Sequence, residues 1–375
     1  MTVATAARAF PRPSIRRNVW APPSRSVSTR RAARSSLVTG VVVAVLAYLG
    51  LAVAVETVRP EWRDPEFFTR LNRLRTIANS EAQGSHLRPV IVVLGGSRTQ
   101  RGLSPEHLGL GTGPADPLVF NCAQSGCLPV GLRLNLARLL ATGYSPDRVL
   151  IEVLPPVLAD PGPMEDRIPA PRLGYVDLAR LRPYHTDPAR ARRAWLQARA
   201  TSWYTLRLPL MASWGLADAL PPGPERPDVL WAGMHPDGWA PLYPRKWSAE
   251  SRTRPLQVAR QSYEYLLNDF RVEPVNDRAF RDAMTDCRDR NIRAALFVMP
   301  ESPTFRGWYP PVARKRVCEY LAGLARDFGV PVFDASGWTD DESAFTDGHH
   351  LLGEAAEAFS QWFGWKYVGP WVRGE

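Results

Sequence analysis

A serine in "GGSRT", Ser97, and an aspartate and a histidine three residues apart in "TDGHH", Asp347 and His350, are the side chains of this sequence best suited to acyl transfer. A serine hydroxyl is a weak nucleophile, and it attacks a carbonyl when a neighbouring base takes its proton. An imidazole is such a base once a carboxylate holds its second ring nitrogen. Residues i and i+3 of a helical turn share a face, so Asp347 is expected to orient His350, with His349 as the rival base. The alternative is an aspartate capping the helix that follows and a histidine packed at its start. "GGSRT" lacks the second glycine of G-x-S-x-G, which disfavours an ordinary α/β-hydrolase elbow. It also lacks the GK[ST] ending of a phosphate-binding loop. A metal pair from His349 and His350 is disfavoured because adjacent residues are expected to point apart and no third ligand is near in sequence.

Four further groups are candidates. Arg98, beside Ser97, is a candidate for holding an anionic group of a substrate, against the commoner structural arginine. Glu152 is either a buried site residue or a partner for a neighbouring helix. His235 and Asp237 in "MHPDGW" either contact substrate or belong to a Pro-Asp-Gly turn. Cys122, Cys127, Cys287 and Cys318 have no zinc-binding spacing; Cys122 with Cys127, or Cys287 with Cys318, is a conceivable bridge, and structural or free thiols are the favoured reading.

The elements that must position these groups alternate along the chain. Strand-like "VIVVLG", "PLVFNCA", "RVLIEVLP", "RAALFVMP" and "VPVFDAS" are separated by amphipathic segments such as "VGLRLNLARLLATG" and "PVARKRVCEYLAGLARDFG". Apolar strands buried on both faces and separated by helices predict a parallel sheet in a three-layer α/β/α domain. Ser97 then stands at the carboxyl end of the first strand, where unpaired backbone N–H groups can face a developing oxyanion. The pattern breaks from about residue 160 to 256, a Pro-, Arg- and Trp-rich insertion holding Trp195, Trp203, Trp214, Trp231, Trp239 and Trp247. Such an insertion is expected either as a lid or sugar-stacking platform over the site, or as a piece with its own small aromatic core or resting on a lipid interface.

The amino-terminal part is of another kind. Residues 1–36 carry eight arginines and no acid, which accounts for most of the formal charge of +10. The remaining chain is nearly balanced, so no broad basic footprint for nucleic acid survives. "LVTGVVVAVLAYLGLAVAV", Leu37 to Val55, has no charge, and as a helix it spans roughly 28 Å, close to the bilayer hydrocarbon core. These features predict a basic cytoplasmic tail (1–36), a single transmembrane anchor (37–57), a stalk with one amphipathic helix (58–87) and an extracytoplasmic domain (88–375). A cleaved signal peptide with "AVA" at Ala52 to Ala54 is the alternative, disfavoured by the length of the apolar run. The pairs Arg16-Arg17 and Arg30-Arg31 read as topology charges rather than a twin-arginine signal.

Strand-Gly-Gly-Ser-Arg, "NCAQSG" from Asn121 to Gly126, and Asp347-x-x-His350, in that order, resemble the SGNH (GDSL-like) hydrolases and acyltransferases. The resemblance covers roughly 90–157 and 291–363. It implies a flavodoxin-like sheet, Ser97 as nucleophile, His350 as base, Asp347 as its orienter, and an oxyanion hole from the backbone N–H groups of Ser97 and Gly126. The family's third block, Gly-x-Asn-Asp, is missing: the third strand runs into Pro155 and Pro156, and proline has neither a side-chain amide nor an N–H to offer. Loss of one such donor typically costs about 2.7 to 4 kcal/mol of transition-state stabilisation. Membrane-anchored relatives in cell-envelope acylation also lack this block. The resemblance therefore implies a serine esterase or O-acyltransferase of the cell envelope. Its substrate would be an acyl ester, such as an O-acetylated polysaccharide, with a separate membrane protein as acyl donor if it is a transferase. It implies no metal and no organic cofactor. The competing class is a non-catalytic glycan-binding or assembly protein that keeps the same fold.

Overall fold

The computed structural model describes residues 27–82, 88–113, 116–127, 129–163, 165, 167–216, 234–243 and 247–375. The tail arginines from Arg8 to Arg25, including Arg16-Arg17, and Trp231 lie outside these residues. Five strands form one parallel sheet: β1 (Val90–Leu94), β2 (Leu118–Asn121), β3 (Arg148–Glu152), β4 (Arg293–Val298) and β5 (Val332–Asp334). Their order is β2-β1-β3-β4-β5, and every pairing is parallel. This is the flavodoxin-like doubly wound order, in which the chain moves first to one side of β1 and then to the other.

β1 shows why the strands are apolar throughout. All five of its residues are buried. Successive side chains point to opposite faces, so Val90, Val92 and Leu94 join one core, and Ile91 and Val93 join another. The first core is covered by helices that include Pro129–Ala141, Pro274–Asp289 and Pro311–Phe328. The second is covered chiefly by Gly353–Phe363, which buries Ala356, Phe359, Ser360 and Phe363 at helical spacing. Helices on both faces make the three layers expected from the sequence.

Two compact units divide the chain, Met1–Gly50 and Leu51–Glu375. The Val27–Val53 helix is followed by a π-helical turn, Ala54–Val58. The segment 30–58 is the one stretch among the described residues long and apolar enough to cross a membrane. Most of its side chains stand open, with Leu37 69% and Leu46 62% exposed, where a helix packed in a protein core would hide them; Val55, near its end, is buried with Leu206 and Leu210.

The expected stalk is corrected. The Pro65–Ala82 helix is part of the globular unit, and its Phe67, Leu71 and Leu74 are buried in the first core. An amphipathic pattern reports that one face is covered; here the cover is the sheet's own helical layer.

The insertion supplies short helices, Tyr175–Leu181, Pro188–Ala200, Ser202–Thr205 and Arg207–Ser213, and the start of the long Ala249–Asn268 helix. Its segment 234–242 threads back into the second core. Trp239 is fully buried and donates Nε1–H to the carbonyl of Arg101 at 2.8 Å. The Asn121 N–H donates to the carbonyl of Asp237 at 2.8 Å, and Gly238, at φ +89°, presses on Asn121 so closely that no Cβ fits.

Candidate active site

Ser97 follows β1 after two glycines and opens the Ser97–Gly102 helix. The turn is pinned from below: the Gly96 N–H and Thr99 Oγ1 both donate to Glu152 Oε2 at 2.7 Å. Glu152 is the last residue of β3, the neighbouring strand, so strand order alone brings its carboxylate under the turn.

Asp347 and His350 sit on a tight loop closed by the antiparallel bridge between Phe345 and Leu351. The helical turn expected for them is absent. Their shared face comes from the loop itself, because Asp347 Oδ1 accepts the N–H groups of His349 (3.2 Å) and His350 (2.9 Å). Its other oxygen, Oδ2, lies 2.7 Å from His350 Nδ1. His350 Nε2 lies 2.7 Å from Ser97 Oγ. Two short contacts thus join three residues in the order carboxylate, imidazole, hydroxyl, across 253 positions of sequence between the serine and the histidine.

Electrostatics follow from burial. Loss of water around His350 and the neighbouring His349 lower its pKa to about 4, against the opposing pull of Asp347. The imidazole is therefore neutral at pH 7 and able to accept a proton. Burial pushes the Asp347 carboxyl up, but His349 and His350 outweigh this and hold it well below the usual carboxylate range.

His349 does not reach Ser97 in the way His350 does. It is buried against Phe305 and Tyr263, with its ring 4.1 Å from that of His350. Its Nδ1 approaches Asp347 Oδ1 at 3.2 Å without hydrogen-bond geometry. The two imidazoles therefore do not point apart, as neighbours in an extended chain would, because the loop folds both toward one carboxylate. Asp347, His349 and His350 form the one cluster among the described residues whose donor atoms stand close enough to hold a metal ion. The Nε2 of its His350 also contacts Ser97 Oγ at 2.7 Å.

Gly126 lies in the turn after β2, at φ +69°, with open space where a Cβ would be. Asn121 holds that turn, donating Nδ2–H to the carbonyls of Thr99 (2.9 Å) and Leu103 (2.8 Å) and accepting the Ala123 N–H at 3.0 Å. Among the described residues, the amides of Ser97 and Gly126 donate to no other group. Both residues line a pocket of about 400 Å³, whose walls include Leu132, Leu154, Val157 and Phe280, and Gln261, Tyr263 and Leu266 of the Ala249–Asn268 helix. That helix is the wall that motif reading missed; its sole advance signal was the position of the insertion after a strand's carboxyl end.

One expectation is revised, and two alternatives left open by the sequence are narrowed. Arg98 touches the pocket wall, but it is 1% exposed and its guanidinium turns inward. It donates to the carbonyls of Met299 (2.5 Å) and Pro300 (3.3 Å) and to Glu301 (3.4 Å), and lies 3.5 Å from Glu152. It neutralises buried carboxylates rather than facing a substrate anion. Next, Asp237 is a turn residue, accepting the N–H groups of Trp239 (3.1 Å) and Glu106 (3.2 Å). Finally, among the described residues no tryptophan lines the Ser97 pocket. Trp203 and Trp214 are exposed and face each other at 6.0 Å, and Trp195 donates to the carbonyl of Leu173. The four cysteines are free, and burial pushes the thiols of Cys122 and Cys287 up to about 12, which leaves them unreactive near neutrality.

Fold and site together define a doubly wound α/β protein with a Ser-His-Asp array at the carboxyl edge of its sheet. No protein-family model matches the chain, and no curated protein does. Among solved structures it is similar to TesA, at 13% identity over 74% of this chain and 98% of that one, with a TM-score of 0.35. It is also similar to the psychrotrophic esterase EstA from Pseudoalteromonas sp., inhibited by monoethylphosphonate, at 12% identity over 76% and 98%, with a TM-score of 0.33.

Proposed function

We propose that the protein is a membrane-anchored serine esterase or O-acyltransferase that works through an acyl-serine intermediate. The observation that supports this reading is the pair of 2.7 Å contacts linking Asp347 to His350 and His350 to Ser97. Ser97 Oγ attacks the acyl carbonyl while its proton passes to His350 Nε2. The carbonyl oxygen becomes an oxyanion facing the amides of Ser97 and Gly126. His350 returns the proton to the departing alkoxide as the ester C–O bond breaks, leaving the acyl group on Ser97. Water or a sugar hydroxyl, deprotonated by the same imidazole, then takes the acyl group and restores Ser97. Asp347 keeps the tautomer and steadies the imidazolium formed in each half-reaction.

The anchor is the apolar helix, with the arginine-rich segment on the cytoplasmic side and the catalytic unit outside, as the distribution of basic flanks favours. An acyl ester on an envelope polysaccharide is the substrate class consistent with that location. Where the third oxyanion donor would stand, the chain after β3 runs into Pro155 and Pro156, so in this reading the hole works with two backbone donors.

The test uses the full-length chain in detergent micelles. A fluorophosphonate probe labels the wild type, and labelling is lost in both Ser97→Ala and His350→Ala, as is hydrolysis of p-nitrophenyl acetate. A folded wild type that is neither labelled nor hydrolytic sinks the enzyme and leaves the glycan-binding alternative.

A further inference from the structure

The two oxyanion amides come from different segments, so the gap between them is set by whatever joins those segments. Glu66 joins them. Its Oε1 accepts Gln100 Nε2–H at 2.7 Å and the Ser125 backbone N–H at 2.9 Å. Gln100 belongs to the helix that Ser97 opens, and Ser125 immediately precedes Gly126. Ser125 Oγ closes the triangle by donating to Gln100 Oε1 at 2.6 Å.

The rest of the same stretch reinforces the link. Asp64 Oδ1 accepts Gln124 Nε2–H at 3.0 Å and Arg172 at 2.9 Å, while its Oδ2 accepts Arg138 at 2.8 Å. Arg172 also reaches Glu66 Oε2 at 3.3 Å. Both residues ahead of Gly126 are therefore pinned by carboxylates from one short stretch, a few residues beyond the apolar span that ends at Val58. Glu66 does not line the pocket, so it has no route to the substrate except through the loop it holds.

We propose that Glu66 is a positioning residue for the oxyanion hole, holding the Gly126 amide in register with that of Ser97. The inference rests on the serine acyl-transfer reading. An oxyanion donor acts only when aimed in advance at the point where charge develops, and a misplacement of about 1 Å can cost about 10²-fold in rate. Removing Glu66 leaves the Ser125 N–H without its acceptor and frees the Gly126 peptide to turn. The loss appears in the transition state and not in ground-state binding.

Ester hydrolysis by the full-length protein in micelles separates the outcomes. Glu66→Leu is expected to lower kcat about 10- to 100-fold with KM little changed. Glu66→Gln, whose amide oxygen still accepts two N–H groups, is expected to recover most of that loss. A residue that merely stabilised the fold would lower the melting temperature without this kcat-only signature or its rescue. Should Glu66→Leu fail to fold, Gln100→Met removes the opposite corner of the triangle and is measured in its place. An active wild type whose folded Glu66→Leu, or Gln100→Met in its stead, keeps kcat, or loses only KM, overturns this inference alone. A wild type that neither hydrolyses esters nor takes up the probe overturns the serine reading and this inference with it.

Discussion

The proposed nucleophile half and the proposed oxyanion half of this site are built differently. The first is three side chains joined by two contacts of 2.7 Å, with the chemistry held in the residues themselves. The second is two backbone amides, whose only chemical content is their direction. Direction cannot be encoded locally, so the oxyanion half is held by Asn121, Gln100, Glu66 and Asp64, drawn from three separate segments. A substitution in the first half removes a chemical step, whereas one in the second half misaims a donor.

The sharpest way to break this comparison is Asp347→Asn. It keeps the shape of the nucleophile half but favours the wrong tautomer of His350, and kcat should fall about 10⁴-fold. A loss no larger than that of an oxyanion-side variant would erase the distinction. Next in size is Arg98→Met, beneath both halves. It leaves Glu152 and Glu301 buried without their shared cation, and chemical denaturation should register a loss of about 3 to 5 kcal/mol. Because Glu152 holds the Gly96 N–H, activity measured on the folded fraction should also fall. A near-neutral result would mean that the buried cluster is not a charge-balancing device.

Gly126→Ala tests the oxyanion half by itself. Space for a methyl group is available, but φ +69° is unfavourable for a residue with a Cβ. The expected cost is about 1 to 2 kcal/mol in stability, with a loss in kcat and little change in KM. Unchanged kinetics would remove Gly126 from the oxyanion hole.

The smallest effect concerns pH. The proposed mechanism needs neutral His350, so kcat/KM should be full well above the lowered pKa of about 4 and decline as pH falls through it. Burial is the main cause of the lowering and His349 the next. His349→Phe should therefore move the acid limb upward, toward the ordinary histidine value, while leaving the plateau largely intact. An acid limb already near 6.5 in the wild type would mean that His350 is better solvated than its burial implies.

Much of the fold was legible because its causes are local. Runs such as Val90–Leu94 are apolar on both faces, and helices such as Gly353–Phe363 repeat their apolar positions at helical spacing, so layers and strands follow from periodicity. Ser97, Asp347 and His350 were legible as candidates because few residue types suit acyl transfer and their order along the chain matched a known pattern; the structure brings the three together. The Pro65–Ala82 helix was misassigned as a stalk because periodicity reports a covered face and not what covers it. Arg98 was misassigned because adjacency to a nucleophile says nothing of which way a long side chain turns, and two carboxylates from β3 and the chain after β4 drew it inward.

By itself the amino-acid sequence determined which segments become strands and helices, where a lipid-compatible helix lies, and which three side chains have the chemistry for acyl transfer. Only the tertiary structure decided that Ser97 meets His350, that His349 does not take its place, and that Glu66 reaches the loop before Gly126. The physical reason is one of range: propensity and hydrophobic period act over a few residues, while a hydrogen bond between residues 253 positions apart exists only after the sheet has packed.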